Sequence, residues 1–406
     1  MVRFDLGISN YTQFHKIMIR RRIEIEELED QILAPFAMRS RGSAGREYDE
    51  PPHEVRTCYQ RDRDRIVHSE AFRKLEYKTQ VFAIFEGDYY RTRLTHTIEV
   101  AQIARTIGRN LRLNEDLIEA IALAHDLGHP PFGHAGEVAL DNILKKAKLT
   151  GFNHNERSYD IVAKFEKRYP NFEGLNLSLE VLVGILKHRT IYDAPTFLKK
   201  FADMGPTLEA QVVDIADSLA YLTHDVDDGL TSGCITEDDL VESDLWRKAY
   251  HRVKDVVYQN DREMLKYQIV KELIDAQIKD LLAATEKKIK SLDFQSALEV
   301  QKYEGVAIVF SKEMAKERDH LQRLLNEKLY HHYRVVRMTT KAKRIIQDLF
   351  EVYLKEPAQL PYRVYPRHKT YSKKEKYEII CNYIASMTDR FALQEHRKLF
   401  NPYEKV

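Results

Sequence analysis

Cysteine is scarce in this 406-residue chain: Cys58, Cys234 and Cys381 are far apart and form no CxxC pair. Their number and spacing exclude a disulfide framework and a thiolate zinc knuckle, and predict a reducing compartment. Fifteen glycines and twelve prolines are too few for a collagen-like or low-complexity chain, and 43% hydrophobic residues are too many for a disordered one. No apolar run approaches the ~18–20 residues that span a bilayer, and the opening MVRFDLGISN lacks a secretory apolar stretch. A charge excess is missing as well. Lys and Arg number 64 against 63 Asp and Glu, a net charge of +1, so any binding to nucleic acid or membrane needs a local patch. These absences predict a soluble cytoplasmic protein with no membrane partner. There is no 20–50-residue repeat either.

What the chain does have is helical periodicity. Residues 11–31 alternate apolar and charged positions, predicting a surface helix, and 36–56 carry the Gly, Ser and Pro of a long loop. Over 96–111, Val100, Ala104, Ile107 and Leu111 share one face. Asn114 is a natural N-cap, followed by Glu115 and Asp116 and an apolar run through Ala124. Segments 134–147 and 178–188, the latter opening at Ser178, read the same way. Residues 208–228 set Val212, Ile215, Leu219 and Leu222 on one side. Val306 to Phe310 is the one good strand candidate. Residues 235–300, 312–350 and 374–399 read as long charged amphipathic segments, and Pro357, Pro361 and Pro366 keep 355–372 irregular. The expected fold is all-α. It has an N-terminal helix and loop over 1–55, a helical core over 56–232 and a helical C-terminal region over 233–406 packed on that core.

The densest chemistry is HDLGHPPFGHAGE, residues 125–137. His125 and Asp126 end a helix that Gly128 can stop, so the two side chains need not diverge by the ~100° of a helical step and can share one divalent ion. The Gly-Pro-Pro-Phe-Gly turn brings the next helix close, and there His134 and Glu137 sit at i, i+3 on one face. A carboxylate at that spacing orients an imidazole for acid or base work. Two ligands make a poor metal site. His96, 29 residues upstream, can return to His125 through an antiparallel helix pair, and helix 208–228 carries the stripe Asp214, Asp217, Tyr221, Asp225 and Asp228. A His, a His-Asp pair and one further Asp form an N2O2 shell suited to Mn, Fe, Co, Zn or Mg. Chemistry alone leaves Asp214 and Asp217 equally eligible for the last place. His224-Asp225 is a second His-Asp dyad, but only the first is flanked by Gly turns and further catalytic-type residues.

The pattern His96…His125-Asp126…Asp217 resembles the HD-domain metal-dependent phosphohydrolases. The longer string HDLGHPPFGHAGE is similar to their deoxynucleoside triphosphate triphosphohydrolase, or dGTPase-like, branch. Arg61–Ser69, Phe72–Leu75, Lys78–Phe82 and Arg93–Thr97 match that branch's upstream block, Asp217–Asp225 its last ligand helix, and Leu329-Tyr330 with His332–Val335 and Arg337-Met338 its C-terminal block. The resemblance implies a divalent ion held by His96, His125, Asp126 and Asp217. It also implies cleavage of a dNTP to deoxynucleoside and intact triphosphate. His134, oriented by Glu137, then either protonates the leaving 5′ oxygen or assists the nucleophile. Arg93, three residues before His96, faces the same site on a helix. The resemblance assigns His129 and His154 to the phosphates, with Lys187 a further phosphate candidate. Tyr221 and Asp225 lie on one stripe with Asp217, where a ring opposes a 2′ hydroxyl and a carboxylate accepts from the 3′ hydroxyl; Gln80 joins that sugar edge. The family also implies a homo-oligomer, a tetramer or hexamer, and an activating dNTP in some members. Residues 362–376 interleave Arg363, Arg367, Lys369, Lys373, Lys374 and Lys376 with Tyr362, Tyr365 and Tyr371, a candidate surface for single-stranded nucleic acid or an effector's phosphates. The rival readings are an HD phosphohydrolase acting on another nucleotide, and a nucleotide- or nucleic-acid-binding regulator built on the same scaffold.

Overall fold

The computed structural model describes residues 19–80, 91–189, 199–255 and 261–405. Within them the chain is helical throughout: α1 (Arg22–Ile32), α2 (Cys58–Val67), α3 (Glu70–Lys74), α4 (Arg93–Asn110), α5 (Glu115–Ala124), α6 (Gly133–Lys146), α7 (His154–Asp160), α8 (Leu179–Leu186), α9 (Leu208–Thr231), α10 (Glu237–Leu240), α11 (Asp244–Val253), α12 (Arg262–Leu292), α13 (Ala297–Lys302), α14 (Lys312–Leu325), α15 (Tyr333–Lys355), α16 (Lys373–Ala385) and α17 (Asp389–Phe400). Among the described residues the only extended pairings are isolated bridges, so the fold is all-α as expected. None of these helices is long and apolar enough to cross a membrane.

Local signals set the boundaries. Asn114 caps α5 by accepting the amides of Asp116 and Leu117, and Thr92 and Thr207 cap α4 and α9 in the same manner. Every residue of α5 from Leu117 to Ala124 except Glu119 is buried, which makes α5 the central rod that α2, α4, α8 and α9 surround. A first apolar core joins these helices and extends to Leu281, Ile289 and Val300. A second gathers the C-terminal end of α9 with α11, α12 and α14. A third packs α6 against α15, α16 and α17. Apolar packing therefore crosses position 232 in both directions. Helix α9 contributes Leu219 to the first core and Leu222 to the second, so its middle turns lie where the cores meet.

Three expectations change. The N-terminal helix begins at Arg22, and 11–18 lie outside the described residues; it is also less a surface helix than its pattern suggests, because Glu26 and Glu29 are buried. Val306–Phe310 forms no strand. Its amides bond side chains instead: Ala307 donates to Gln211 Oε1 at 2.8 Å and Val309 to Thr285 Oγ1 at 3.0 Å, so no partner strand is needed. The long segments divide as well. Residues 235–300 hold α10 to α13, and Thr388, whose side chain accepts the Phe391 amide, starts a new helix inside 374–399.

One buried acid outside the site makes stability depend on pH. Glu209 is fully buried; Oε1 accepts from the amides of Met38 and Asn114 at 2.9 and 3.1 Å, while Oε2 has no partner among the described residues. Burial pushes its carboxyl up from 4.5 to about 7 against the pull of those hydrogen bonds. Between these values the folded state binds the proton and the unfolded state does not, so stability falls as pH rises, by on the order of 3 kcal/mol at most. Glu209→Gln is expected to flatten the decline of melting temperature between pH 4.5 and 7 in calorimetry; an unchanged decline would show that the carboxyl ionises freely.

Candidate active site

Four side chains from three elements converge at the middle of α9. His96 lies on the second turn of α4, His125 and Asp126 follow the end of α5, and Asp217 stands on α9. His96 Nε2 is 2.9 Å from Asp217 Oδ1 and 3.9 Å from Asp126 Oδ2; His125 Nε2 is 3.5 Å from Asp126 Oδ1 and 3.7 Å from Asp217 Oδ1. Potential ligand atoms of His96, His125 and Asp217 all lie within 4.8 Å of one another.

The tautomers suit a cation. His125 Nδ1 is 2.6 Å from the Ala122 carbonyl, which can only accept, so Nδ1 carries the hydrogen and Nε2 presents its lone pair. Among the described residues that buried Nε2 has no hydrogen-bond partner. His96 Nδ1 is 3.2 Å from His224 Nδ1, and His224 Nε2 bonds Glu99, which Arg91 holds at 3.1 Å. A hydrogen on His224 Nε2 leaves its Nδ1 to accept from His96, and this again frees His96 Nε2 toward the cluster. Burial, aided by neighbouring His96 and Arg91, lowers the His224 imidazole to about 4 despite Glu99, so it is neutral. Burial alone would also push the carboxyls up. Arg93 and the imidazoles of His125 and His129 nevertheless hold Asp126 well below the usual carboxylate range, and the neighbouring imidazoles of His125, His188 and His96 do the same for Asp217. An orphaned imidazole nitrogen, two ionised carboxylates and a second imidazole fit a divalent ion of the borderline kind.

A second group lies beside the first. His129 Nε2 is 3.0 Å from Asp126 Oδ1, and the His129 ring stacks on His154 with centroids 3.9 Å apart. Glu137 sits below the pair, with Oε1 3.0 Å from His154 Nδ1 and Oε2 3.5 Å from His134 Nδ1. Ring nitrogens bind metals in the ring plane at roughly 2.1 Å. Two nearly parallel rings at this spacing share no such point, so this group reads as a hydrogen-bonding relay although its atoms are close enough to hold an ion. Against the burial that would raise it, His154, His134 and His129 hold the Glu137 carboxyl far below its ordinary value. Gly128 permits this arrangement: a Cβ there would stand 2.1 Å from the His154 carbonyl oxygen.

Arg93 joins the two groups. Its Nη1 donates to Asp126 Oδ2 at 2.8 Å, while Nε and Nη2 are buried and without partners among the described residues. Gly133 makes room for it, with φ +55° and only 2.9 Å between an added Cβ and Arg93 Nη2. His134, the most exposed of the imidazoles here, opens onto a cleft of about 280 Å³ lined also by Gln80, Tyr221, Tyr330, Val335 and Met338. Gln80 Oε1 is buried and has no partner among the described residues. Asp225 is fully buried; the Tyr330 hydroxyl, 2.6 Å from that of Tyr221, bonds its Oδ2, so Tyr330 stands between the carboxylate and the cleft. Lys187 lies elsewhere. Its ammonium donates to the Met204 carbonyl, on the wall of a second cleft shared with Arg189, Asp214 and Ser218.

Sequence reasoning missed several partners. His188 bridges Asp214 and Asp217, at 2.6 and 3.3 Å, and its only signal was adjacency to Lys187. His224 appeared as a rival dyad, whereas it sits behind His96. Tyr330 lay inside a matched block without an assigned role. Asp389 gave no signal: from the first turn of α17 it accepts from the amides of Thr79 and Phe132, both at 2.9 Å, and from the Thr79 hydroxyl. Val81 and Phe82 of the upstream block lie outside the described residues.

Residues 93–222 match the HD domain, and 308–398 match the phosphohydrolase-associated domain. The chain is 47% identical to a deoxyguanosinetriphosphate triphosphohydrolase-like protein of Geobacter sulfurreducens, over 94% of this chain and 98% of that protein. Proteins of the same name from Ralstonia nicotianae and Parvibaculum lavamentivorans are 47% and 42% identical over 91% of this chain and 94% and 97% of theirs.

Asp389 supplies the acceptor for two buried amides that flank the site, so Asp389→Ala is expected to destabilise the protein by about 3 kcal/mol in urea unfolding. A loss under about 1 kcal/mol would mean that water or another acceptor replaces the carboxylate.

Proposed function

The chain belongs to the HD-domain, deoxyguanosinetriphosphate triphosphohydrolase-like family, and on that premise we propose that it hydrolyses deoxynucleoside triphosphates to deoxynucleoside and inorganic triphosphate. The observation that carries the reading is Arg93, a buried guanidinium spending one nitrogen on Asp126 and keeping two unpartnered beside the cluster. Buried, unsatisfied donors are costly unless an anion meets them, and a phosphoryl group does so with matching geometry.

In this reading His96, His125, Asp126 and Asp217 hold one divalent ion, which supplies Lewis-acid polarisation of a phosphoryl oxygen when bound. Water adds to the α-phosphorus and sheds one proton to solvent, the bond from that phosphorus to the 5′ oxygen breaks, and the departing oxygen needs a proton. His134 gives that proton, because it borders the nucleoside cleft and is paired with Glu137. His129, which burial and the nearby Arg93 and His154 keep neutral, has one N–H and can give it to phosphate without adding charge only in exchange for its bond to Asp126 Oδ1. Lys187 and Arg189 are candidates for the distal phosphates in the second cleft. Tyr221 stands one helical turn beyond Asp217 and lines the cleft with Gln80. Its ring opposes a 2′ hydroxyl, while Gln80 Oε1 is free to accept from the sugar.

The test is chromatography of the products from the full chain incubated with Mn²⁺ or Mg²⁺ and the four dNTPs, singly and mixed, with ribonucleotides in parallel. Deoxynucleoside plus triphosphate is expected, with turnover reduced at least ~100-fold in His134→Ala. Monophosphate, diphosphate or no product in any mixture would overturn the reading.

A further inference from the structure

We propose that His188, backed by Asp214, is a positioning residue that keeps Asp217 a one-oxygen ligand of the centre; this rests on the metal-dependent reading above. His188 follows the C-terminal end of α8, where its backbone carbonyl accepts from Asn155 Nδ2 at 3.1 Å. Its ring is buried, with the side chain 1% exposed, so water does not substitute for its partners. Nδ1 lies 2.6 Å from Asp214 Oδ1 and Nε2 lies 3.3 Å from Asp217 Oδ2. Asp214 and Asp217 stand three residues apart on α9, one turn of one face.

The two oxygens of Asp217 thereby acquire different tasks. Oδ1 faces His96 Nε2 at 2.9 Å and His125 Nε2 at 3.7 Å, whereas Oδ2 is turned to His188. A carboxylate without such a tie can rotate, so that Oδ1 is no longer held toward the imidazole nitrogens and the cation loses a fixed ligand. Nor does His188 read as a ligand itself. Its Nδ1 is taken by Asp214 and its Nε2 faces Oδ2, whereas the ligand atoms that gather within 4.8 Å of one another belong to His96, His125 and Asp217. The arrangement is a carboxylate–imidazole–carboxylate chain ending on the ligand, the type of outer contact that orients metal ligands.

Glutamine and asparagine separate position from packing. The amide nitrogen of glutamine can occupy the place of Nε2 and donate to Asp217, while that of asparagine reproduces Nδ1 and reaches only Asp214. The experiment is titration of the metal-stripped full-length protein with Mn²⁺, followed by the electron paramagnetic resonance signal of free Mn²⁺, alongside metal-free melting curves. His188→Asn is expected to weaken Mn²⁺ binding on the order of 10–100-fold, and His188→Gln to retain most of the wild-type affinity. Equal affinities in both variants, whether unchanged or equally weakened, would overturn the proposal, since a packing role does not distinguish the two amides. If a His188 variant does not fold, Asp214→Asn carries the test: lost affinity supports the chain of contacts, and wild-type affinity refutes it. Failure of the wild-type protein itself to bind Mn²⁺ would instead refute the metal-dependent reading and this inference with it.

Discussion

Removing the Asp126 and Asp217 carboxylates from water costs several kilocalories per mole each unless donors or a cation meet the charge. Both are buried, and much of the surrounding architecture answers that cost. Arg93 and His129 reach Asp126; His96 and His188 reach Asp217. Behind these stand His224 with Glu99 on one side and Asp214 on the other. Among the described residues, the buried nitrogen of His125 that faces both carboxylates is left without a hydrogen-bond partner. A divalent cation held between them satisfies that nitrogen and both carboxylates together, which is why the arrangement reads as a metal centre rather than as a structural ion-pair network.

The same constraint explains how distant chain segments become one site. Helix α9 runs from the first apolar core into the second, so Asp217 and Tyr221 sit where packing on both sides holds the backbone still. Helix α6, which carries His134 and Glu137, belongs to the third core with α15, α16 and α17. The C-terminal part is thus more than a cover. Tyr330 closes the cleft over Asp225, and Asp389 ties Thr79, beside Gln80, to the turn at Phe132 that launches His134. Phe132 itself has φ +64°, a conformation held here by the Asp389 bond and the glycine that follows.

Much of the fold and the centre of the site was legible in the sequence, because both rest on local signals. Caps and apolar stripes announced α4, α5, α6, α8 and α9, and a dense run of His, Asp and Gly announced the turn at 125–137. Spacing alone left Asp214 and Asp217 open; in the structure Asp217 faces the imidazoles and Asp214 bonds the outer nitrogen of His188. What escaped depended on contacts between residues far apart in the chain. Asp389 is 310 residues from Thr79, and nothing near it in sequence reports that distance. Val306–Phe310 has the composition of a strand, but its amides find Gln211 and Thr285, whose side chains no periodicity analysis brings to it. His188 was overlooked for a simpler reason: a single histidine beside a lysine has no pattern until α8 and α9 pack together.

The account stands most directly on the claim that the four-residue cluster is a metal centre. Equilibrium metal analysis of the purified full-length protein and of His125→Ala, each stripped and then dialysed against Mn²⁺, tests it. One tightly held ion per chain in the wild type, absent from His125→Ala and accompanied in the wild type by a rise in melting temperature through linkage, is the predicted result. No bound ion in the wild type, or an ion retained undiminished in His125→Ala, would contradict it.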